Sequence, residues 1–193
     1  MRYDSEHKAR TRQRVLKEAS LAIREEGAGN IGVADIMARA GLTHGGFYAH
    51  FKSKDELIAE AITHMFEDRY PLFFSDIAEG DPRAALATFI DHYLSPQHVA
   101  ASRHGCPIPA LASELPHLHA DAQRRFAAGA RRLSQALATL IGRAGLPDAE
   151  TLARSALAEL AGAVGLARVA EDEDEARAIC DASRAAVKAR LGL

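Results

Sequence analysis

Cysteine is scarce in this sequence, and long apolar runs are absent from it. The 193 residues include only Cys106 and Cys180, too few for a disulfide framework. No stretch approaches the roughly 18 consecutive apolar residues that a membrane-spanning helix needs. The charged opening MRYDSEHKARTRQR has no apolar signal region behind it. The sequence therefore predicts a soluble protein of the reducing cytoplasm, with no membrane partner.

Strand-like alternation and internal repeats are also absent, and helical periodicity takes their place. A first helix over about 8–26 is ended by Gly27 and Gly29. A short helix over 33–40 stops at Gly41, and another is expected at 44–50. The stripe of the first helix consists of Val15, Leu16, Ala19, Ala22 and Ile23.

The rest of the chain continues the helical pattern. Ser53 and Glu56 have the spacing of a capping box, which predicts a long helix from Lys54 to about Ala78. Asp81-Pro82 and Ser95-Pro96 are helix-start signals, and so is Asp172 with Glu175. Later helices are expected at about 82–94, 96–103, 108–115, 118–144, 149–170 and 173–191. The predicted fold is all-α, with about nine or ten helices: a three-helix unit (1–53) and a larger helical body (54–193).

Charge is distributed unevenly along the chain. Residues 1–54 contain ten Lys and Arg against six Asp and Glu, whereas residues 55–193 contain fourteen against twenty. A basic N-terminal segment followed by an acidic domain is typical of a nucleic-acid-binding segment joined to a domain with another function. Solvated faces with chance charge excesses explain the same numbers, so composition alone leaves both interpretations open.

The segment 33–51 has the organisation of a helix-turn-helix, with Gly41 at the turn. Two adjacent glycines in its last helix each cost about 1 kcal/mol relative to alanine, which suggests a bare backbone close to a sugar-phosphate chain. Phe47 and Phe51, four residues apart, are predicted to face the three-helix core. The side chains expected to stay exposed, with donors for phosphates and base edges, are Thr43, His44, Tyr48 and His50.

The run GLTHGGFYAHFKSKDEL at 41–57 resembles the signature of the TetR family of bacterial repressors. The resemblance implies a homodimeric, sequence-specific regulator of a pseudo-palindromic DNA operator, released by a small-molecule effector, with no cofactor, metal or catalytic residue. It implies that Thr43 caps the recognition helix and touches phosphate. The implied groove contacts are His44, Gly45 and Gly46, and the implied phosphate contacts are Tyr48, His50 and Lys54.

The sequence departs from the family pattern at two places. Ile31 and Gly32 stand where the family usually has the Thr or Ser that caps the second helix and contacts phosphate. His44 stands where a lysine or arginine is common. We therefore expect the first contact to be absent or made by backbone, and the second to be weaker.

The resemblance also implies an effector pocket within 82–144 and a dimer formed by the last two helices. The pocket candidates are Phe89, His92, Tyr93, Cys106 and Phe126, for which plain core is the alternative. Small apolar residues allow close helix approach across a two-fold axis. The expected interface residues, which would otherwise face the chain's own core, are Leu152, Ala156, Leu160, Ala163, Ala167, Ile179, Ser183 and Val187.

Cys106 supports a second hypothesis. The segment around Gly105-Cys106 resembles a TetR branch that includes electrophile- and oxidant-sensing repressors, and Arg103 and His104 would favour a reactive thiolate. The alternative is an inert, buried cysteine. An enzyme using Cys106 with a histidine, and a helical scaffold that does not bind DNA, are more remote readings. The histidines match no standard zinc spacing.

Overall fold

The computed structural model describes residues 2–74 and 80–193, and within these ranges every regular element is a helix. The all-α prediction is confirmed. None of the helices in these ranges is long and apolar enough to cross a bilayer. The α-helices are α1 (Arg2–Glu26), α2 (Val33–Arg39), α3 (Lys54–Phe74), α4 (Pro82–Tyr93), α5 (Pro96–Ala100), α6 (Pro107–Leu111), α7 (Ala120–Arg143), α8 (Ala149–Ala167) and α9 (Glu173–Arg190). Short 3₁₀ helices cover His44–Ala49, Ser102–His104 and Leu115–His117.

Several helix limits differ from the sequence prediction. α1 begins at Arg2 instead of residue 8, because no glycine or proline interrupts its charged first turns. The expected helix 96–103 divides into α5 and a 3₁₀ turn, and the expected helix 108–115 ends at Leu111. Pro116 disfavours the α conformation at the residue before it. The predicted end of the helix that starts at Lys54, near Ala78, lies outside the described residues.

Side-chain caps fix most of the predicted helix starts. Asp81 accepts a hydrogen bond from the N–H of Arg83 at 3.0 Å, and Ser95 accepts one from the N–H of His98 at 3.2 Å. Before α3, the Ser53 hydroxyl accepts from the N–H of Glu56 at 3.1 Å. The Glu56 carboxylate accepts from the N–H of Lys52 and not from that of Ser53, so only half of the capping box forms as expected.

The helices enclose two apolar cores. The first core contains residues of α1, α2, the 3₁₀ helix His44–Ala49, α3, α6 and the first half of α7. The second core lies among α4, the second half of α7, α8 and α9. The first core therefore continues across the expected boundary at residues 53 and 54, because the buried face of α3 contributes to it. The division into a DNA-binding unit (1–53) and an effector-binding body (54–193) stays a prediction.

α3 and α7 meet at a glycine. A Cβ atom added to Gly129 of α7 would lie 2.2 Å from Cδ2 of Phe66 on α3, far inside van der Waals contact. Phe66 is buried and makes an edge-to-face contact with Phe126, their ring centroids 5.6 Å apart. Gly129 thus lets the body pack directly against the helix that leads to the helix-turn-helix.

Candidate nucleic-acid interface

The turn between α2 and the 3₁₀ helix His44–Ala49 is built on Gly41. Gly41 has a φ of +68°, the left-handed region that glycine occupies without steric penalty. Its N–H donates to the Ala38 carbonyl, and the N–H of Leu42 donates to the Met37 carbonyl, each at 2.9 Å. This is the Schellman pattern that ends a helix, and it directs the chain into the next one.

Two stacked phenylalanines attach the inner face of the 3₁₀ helix to the first core. The rings of Phe47 and Phe51 lie 5.6 Å apart at an interplanar angle of 26°, and both side chains are buried in the first core. Their predicted role as core is confirmed. The helix is 3₁₀ and not α, as its two glycines and its length of six residues allow.

The opposite face of this helix is open to solvent. Thr43, His44 and Gly45 are exposed, and Tyr48 is 71% exposed, an unusual environment for so large an apolar ring. A Cβ added to Gly45 would meet nothing within 4 Å, and one added to Gly46 would make an ordinary 3.6 Å contact with the Met37 side chain. The protein's own packing therefore does not require either glycine.

Neither α2 nor the 3₁₀ helix His44–Ala49 begins with a side-chain cap. Thr43 occupies the N-cap position of the 3₁₀ helix, but its side chain makes no capping hydrogen bond, so that part of the expectation is wrong. Only the Thr43 carbonyl takes part, accepting from the N–H of Gly46 at 3.0 Å. Gly32 caps α2 through its carbonyl alone, which accepts from Ile36, and Ile31 is buried in the first core.

His50 and Lys54 lie beside the exposed face and are half-buried. Burial, together with the charges of Lys8 and Arg12, lowers the pKa of His50 and so favours the neutral ring. A neutral ring can meet a phosphate as an N–H donor but not as a cation. The Lys54 ammonium donates to the Gly29 carbonyl at 3.2 Å, which leaves two of its N–H donors available.

Arg12 of α1 was not singled out by sequence reasoning. Its guanidinium carbon lies 4.6 Å above the centre of the Phe51 ring, and its Nε donates to the His50 carbonyl at 3.4 Å. The same guanidinium forms an ion pair with Glu60 of α3. Arg12 thus fixes the end of the 3₁₀ helix to both neighbouring helices. Its contacts span 38 and more residues, and no local pattern could have revealed them.

The five expected pocket residues do not lie together in one site. Phe89, Tyr93 and Cys106 are buried in the second core, whereas Phe126 packs against the first. His92 is exposed and its ring stacks on His98 at 6.1 Å. Aromatic residues were chosen for chemistry that fits a pocket, but the same chemistry fits close packing.

Five of the eight expected dimer-interface residues are buried within the chain itself. Ala156, Leu160, Ala163 and Ala167 of α8, with Val187 of α9, are buried within the second core. The three others, Leu152, Ile179 and Ser183, are half-buried. Leu152 and Ile179 pack against the same core. α8 packs against α7 and α9, and α9 packs against α8 and α4, so the buried part of each stripe follows the alternative of a core within the chain.

Comparison with known proteins agrees with this architecture. Residues 15–61 match the bacterial regulatory proteins of the tetR family, and residues 82–182 match the C-terminal domain of LmrA/YxaF-like transcriptional regulators. The chain belongs to the TetR family. It is accordingly a DNA-binding transcriptional regulator with a helix-turn-helix.

Individual TetR relatives cover nearly the whole chain. An uncharacterized HTH-type transcriptional regulator of Mycobacterium tuberculosis is 32% identical over 170 residues, 83% of this chain and 86% of its own length. A TetR regulator structure from Chloroflexus aurantiacus superposes with a TM-score of 0.82 at 25% identity, covering 97% of this chain and 96% of that one. Reduced NemR of Escherichia coli superposes with a TM-score of 0.81 at 18% identity, covering 93% and 95%, and shares the fold.

Proposed function

We propose that this TetR regulator is a dimeric repressor that reads its operator with the outer face of the 3₁₀ helix His44–Ala49 and leaves the DNA when an effector binds. One observation supports this reading surface: neither glycine of the 3₁₀ helix is needed for packing, and the exposed Gly45 and half-buried Gly46 lie beside a tyrosine that is 71% exposed. The proposed groove contacts are His44, Gly45 and Gly46, and the proposed phosphate contacts are Thr43, Tyr48, His50 and Lys54.

Changing Gly45 to alanine separates folding from DNA binding. Alanine fits the space and favours helix by up to about 1 kcal/mol, so we expect unchanged or higher resistance to urea. A methyl group between backbone and DNA should lower operator affinity about tenfold, the equivalent of one good contact. Footprinting of the DNA beside the protein's own gene supplies the operator, and fluorescence anisotropy measures the affinity.

Gly142→Ala is the matched control, because Gly142 lies on α7, far from the helix-turn-helix, and also has room for a Cβ. It should raise stability without changing operator affinity. Full operator affinity in the Gly45→Ala variant would contradict the proposed approach of the backbone to DNA.

The outer faces of α8 and α9 support the proposed dimer. Small residues at 155, 158 and 162 of α8 are exposed, and Leu166 continues the stripe with 60% exposure. α9 exposes a matching row of alanines at 178, 182, 185 and 189. Family members bind operators as dimers, and small side chains permit close packing of four helices about a two-fold axis. We assign the dimer contact to these two stripes.

The neighbourhood of Cys106 favours a structural role over a sensing or catalytic one. Cys106 is 2% exposed. Burial of Tyr93, and secondarily the neighbouring Cys106, raise the pKa of the Tyr93 hydroxyl well above its usual value. His98 accepts from the backbone N–H of Cys106 at 3.0 Å, and its other nitrogen lies 2.6 Å from the Tyr93 carbonyl. Both ring nitrogens are thus engaged with backbone, which leaves His98 unsuited to be the base of a cysteine enzyme.

We therefore expect Cys106 to resist electrophiles in the folded protein. N-ethylmaleimide should label it at least about tenfold more slowly in buffer than in urea, because attack requires an exposed thiolate. Operator-bound protein treated with the reagent should stay bound, in the parent and in the Cys106→Ser variant alike. Cys180→Ser leaves Cys106 as the only thiol for the labelling measurement. Release of operator DNA by N-ethylmaleimide from the parent but not from the Cys106→Ser variant would establish the sensor alternative.

A further inference from the structure

A cleft of about 830 Å³ opens between α5, the end of α8 and the first half of α9. Its volume lies within the range of small-molecule sites, roughly 300–1,000 Å³. Most of its surface is apolar, and Phe89, Tyr93 and Cys106 are not among its lining residues. The apolar lining includes Leu94, Val99, Ala167, Ala176 and Cys180.

Arg168 is the polar group that distinguishes this cleft. Its Nε donates to the Val99 carbonyl at 3.1 Å and its Nη2 to the His98 carbonyl at 3.4 Å. It has no carboxylate partner among the described residues, although it is half-buried and burial lowers its pKa. Three of its five N–H donors remain for a ligand. A partly desolvated guanidinium of this kind favours an anion.

The other charged residues of the lining are Asp172, Glu173, Arg177, Asp181 and Arg184. Both of the arginines among them are paired with carboxylates. Arg184 forms an ion pair with Asp181 and donates to the Leu94 carbonyl at 2.8 Å. Arg177 pairs with Asp174 at 3.0 Å. Arg168 is therefore the lining arginine whose positive charge is least compensated.

We propose that this cleft is the effector site and that it takes an amphipathic monoanion, with an apolar body between α5 and α9 and a carboxylate or sulfonate group against Arg168. The assignment rests on the proposed function, because it names where and how the release signal is received.

The cleft wall leads directly to the DNA-reading half. Val99, Ala100 and Ser102 line the cleft, and this segment runs into the 3₁₀ turn Ser102–His104. In that turn the Arg103 carbonyl accepts from Nη1 of Arg24 at 3.2 Å, and the Arg103 side chain pairs with Glu25 at 3.0 Å. Arg24 is 7% exposed and also donates to the Met65 carbonyl of α3 at 3.3 Å. A ligand that displaces this wall acts on α1 and α3 together.

Two fluorescent probes test the site on the intact protein. 1-Anilinonaphthalene-8-sulfonate carries a sulfonate on an aromatic amine, and N-phenyl-1-naphthylamine is its uncharged counterpart. Both should bind the parent chain. Ala176→Phe fills the cleft and should weaken both, and Ala100→Phe, on the opposite wall, repeats the test should the first variant fail to fold. Gln135→Phe, exposed on α7, is the matched control and should leave both unchanged.

The charge contact is tested at Arg168. Arg168→Met should weaken the sulfonate probe about tenfold, as loss of one charge-assisted hydrogen bond predicts, and spare the neutral probe. Arg168→Lys should restore part of the difference. Equal loss of both probes would overturn the anionic ligand class. Unchanged binding in both cleft-filling variants would overturn the site, and so would dissociation of those variants into monomers, because the cleft would then belong to the dimer contact.

Operator binding separates this proposal from the one on which it rests. The sulfonate probe should lower operator affinity of the parent about tenfold and leave that of Ala176→Phe unchanged, as differential binding between two states requires. A parent chain that binds no operator without probe would refute the repressor function, whatever the probe does. An operator complex unaffected by a bound, Arg168-dependent probe would refute only the effector role of the cleft.

Discussion

A glutamate in place of Gly162 should leave the chain folded, make it monomeric and remove operator binding. Gly162 is exposed on α8, and a Cβ there would meet nothing within 4 Å, so the single chain can accommodate the side chain. In the proposed dimer the same position is covered, and two-fold symmetry places two unpaired carboxylates in one contact. Because both half-sites must be held at once, operator affinity should fall by about 10²-fold or more.

Sedimentation equilibrium and operator titration of the same preparation decide this prediction. Gln135→Glu adds the same charge to an exposed position of α7 and should remain a dimer with full affinity. Ala182→Glu tests the second stripe independently and should behave like Gly162→Glu. A Gly162→Glu chain that still sediments as a dimer would place the contact elsewhere on the molecule.

Gly129→Ala is expected to damage both stability and DNA binding through a single methyl group. The added Cβ would lie 2.2 Å from Phe66, so the ring or the whole of α3 must shift by about 1 Å to reach normal contact. Overpacking of this kind costs about 1–3 kcal/mol of unfolding free energy. α3 carries Lys54 and adjoins the 3₁₀ helix, so its displacement should also lower operator affinity.

Urea denaturation and operator titration measure the two effects, and a second substitution identifies their cause. Phe66→Leu removes ring atoms from the contact, so the double variant should recover more stability than the sum of the single changes allows. Gly142→Ala, on the same helix, meets only an ordinary 3.8 Å contact and should not be destabilising. Additive losses in the double variant would show that Phe66 is not the obstacle.

The DNA-reading half was the more predictable part of this protein. Its information is local: Phe47 and Phe51 lie four residues apart, and Gly41 marks the turn within a continuous motif. Helix caps such as Asp81 and Ser95 were equally readable, because each acts on a residue two or three positions away. The prediction was wrong for the Thr43 cap, since sequence indicates a residue's capacity to cap but not whether its hydroxyl is used.

The body was less predictable, for a physical reason. Helical periodicity identifies an apolar face, but not the surface that covers it. Ala163 and Val187 lie on correctly identified faces that pack within the chain, while the outer stripes looked unremarkable because alanine and glycine carry little hydrophobic signal. The cleft beside Arg168 depends on contacts about 70 residues apart along the chain, so no spacing rule could locate it.

The first core has a consequence for how such a protein can be recombined. Ile58 and Met65 of α3, and Leu111 of α6, are buried together with α1 and α2. The Glu114 carboxylate also accepts from the N–H of Ala28, at 2.8 Å, just after α1. A chimera joined between residues 53 and 54 would replace one side of a packed interior and keep the other. On the reading surface proposed above, a new DNA specificity is therefore better introduced at the exposed residues of Thr43–Tyr48 than by exchanging residues 1–53 as a module.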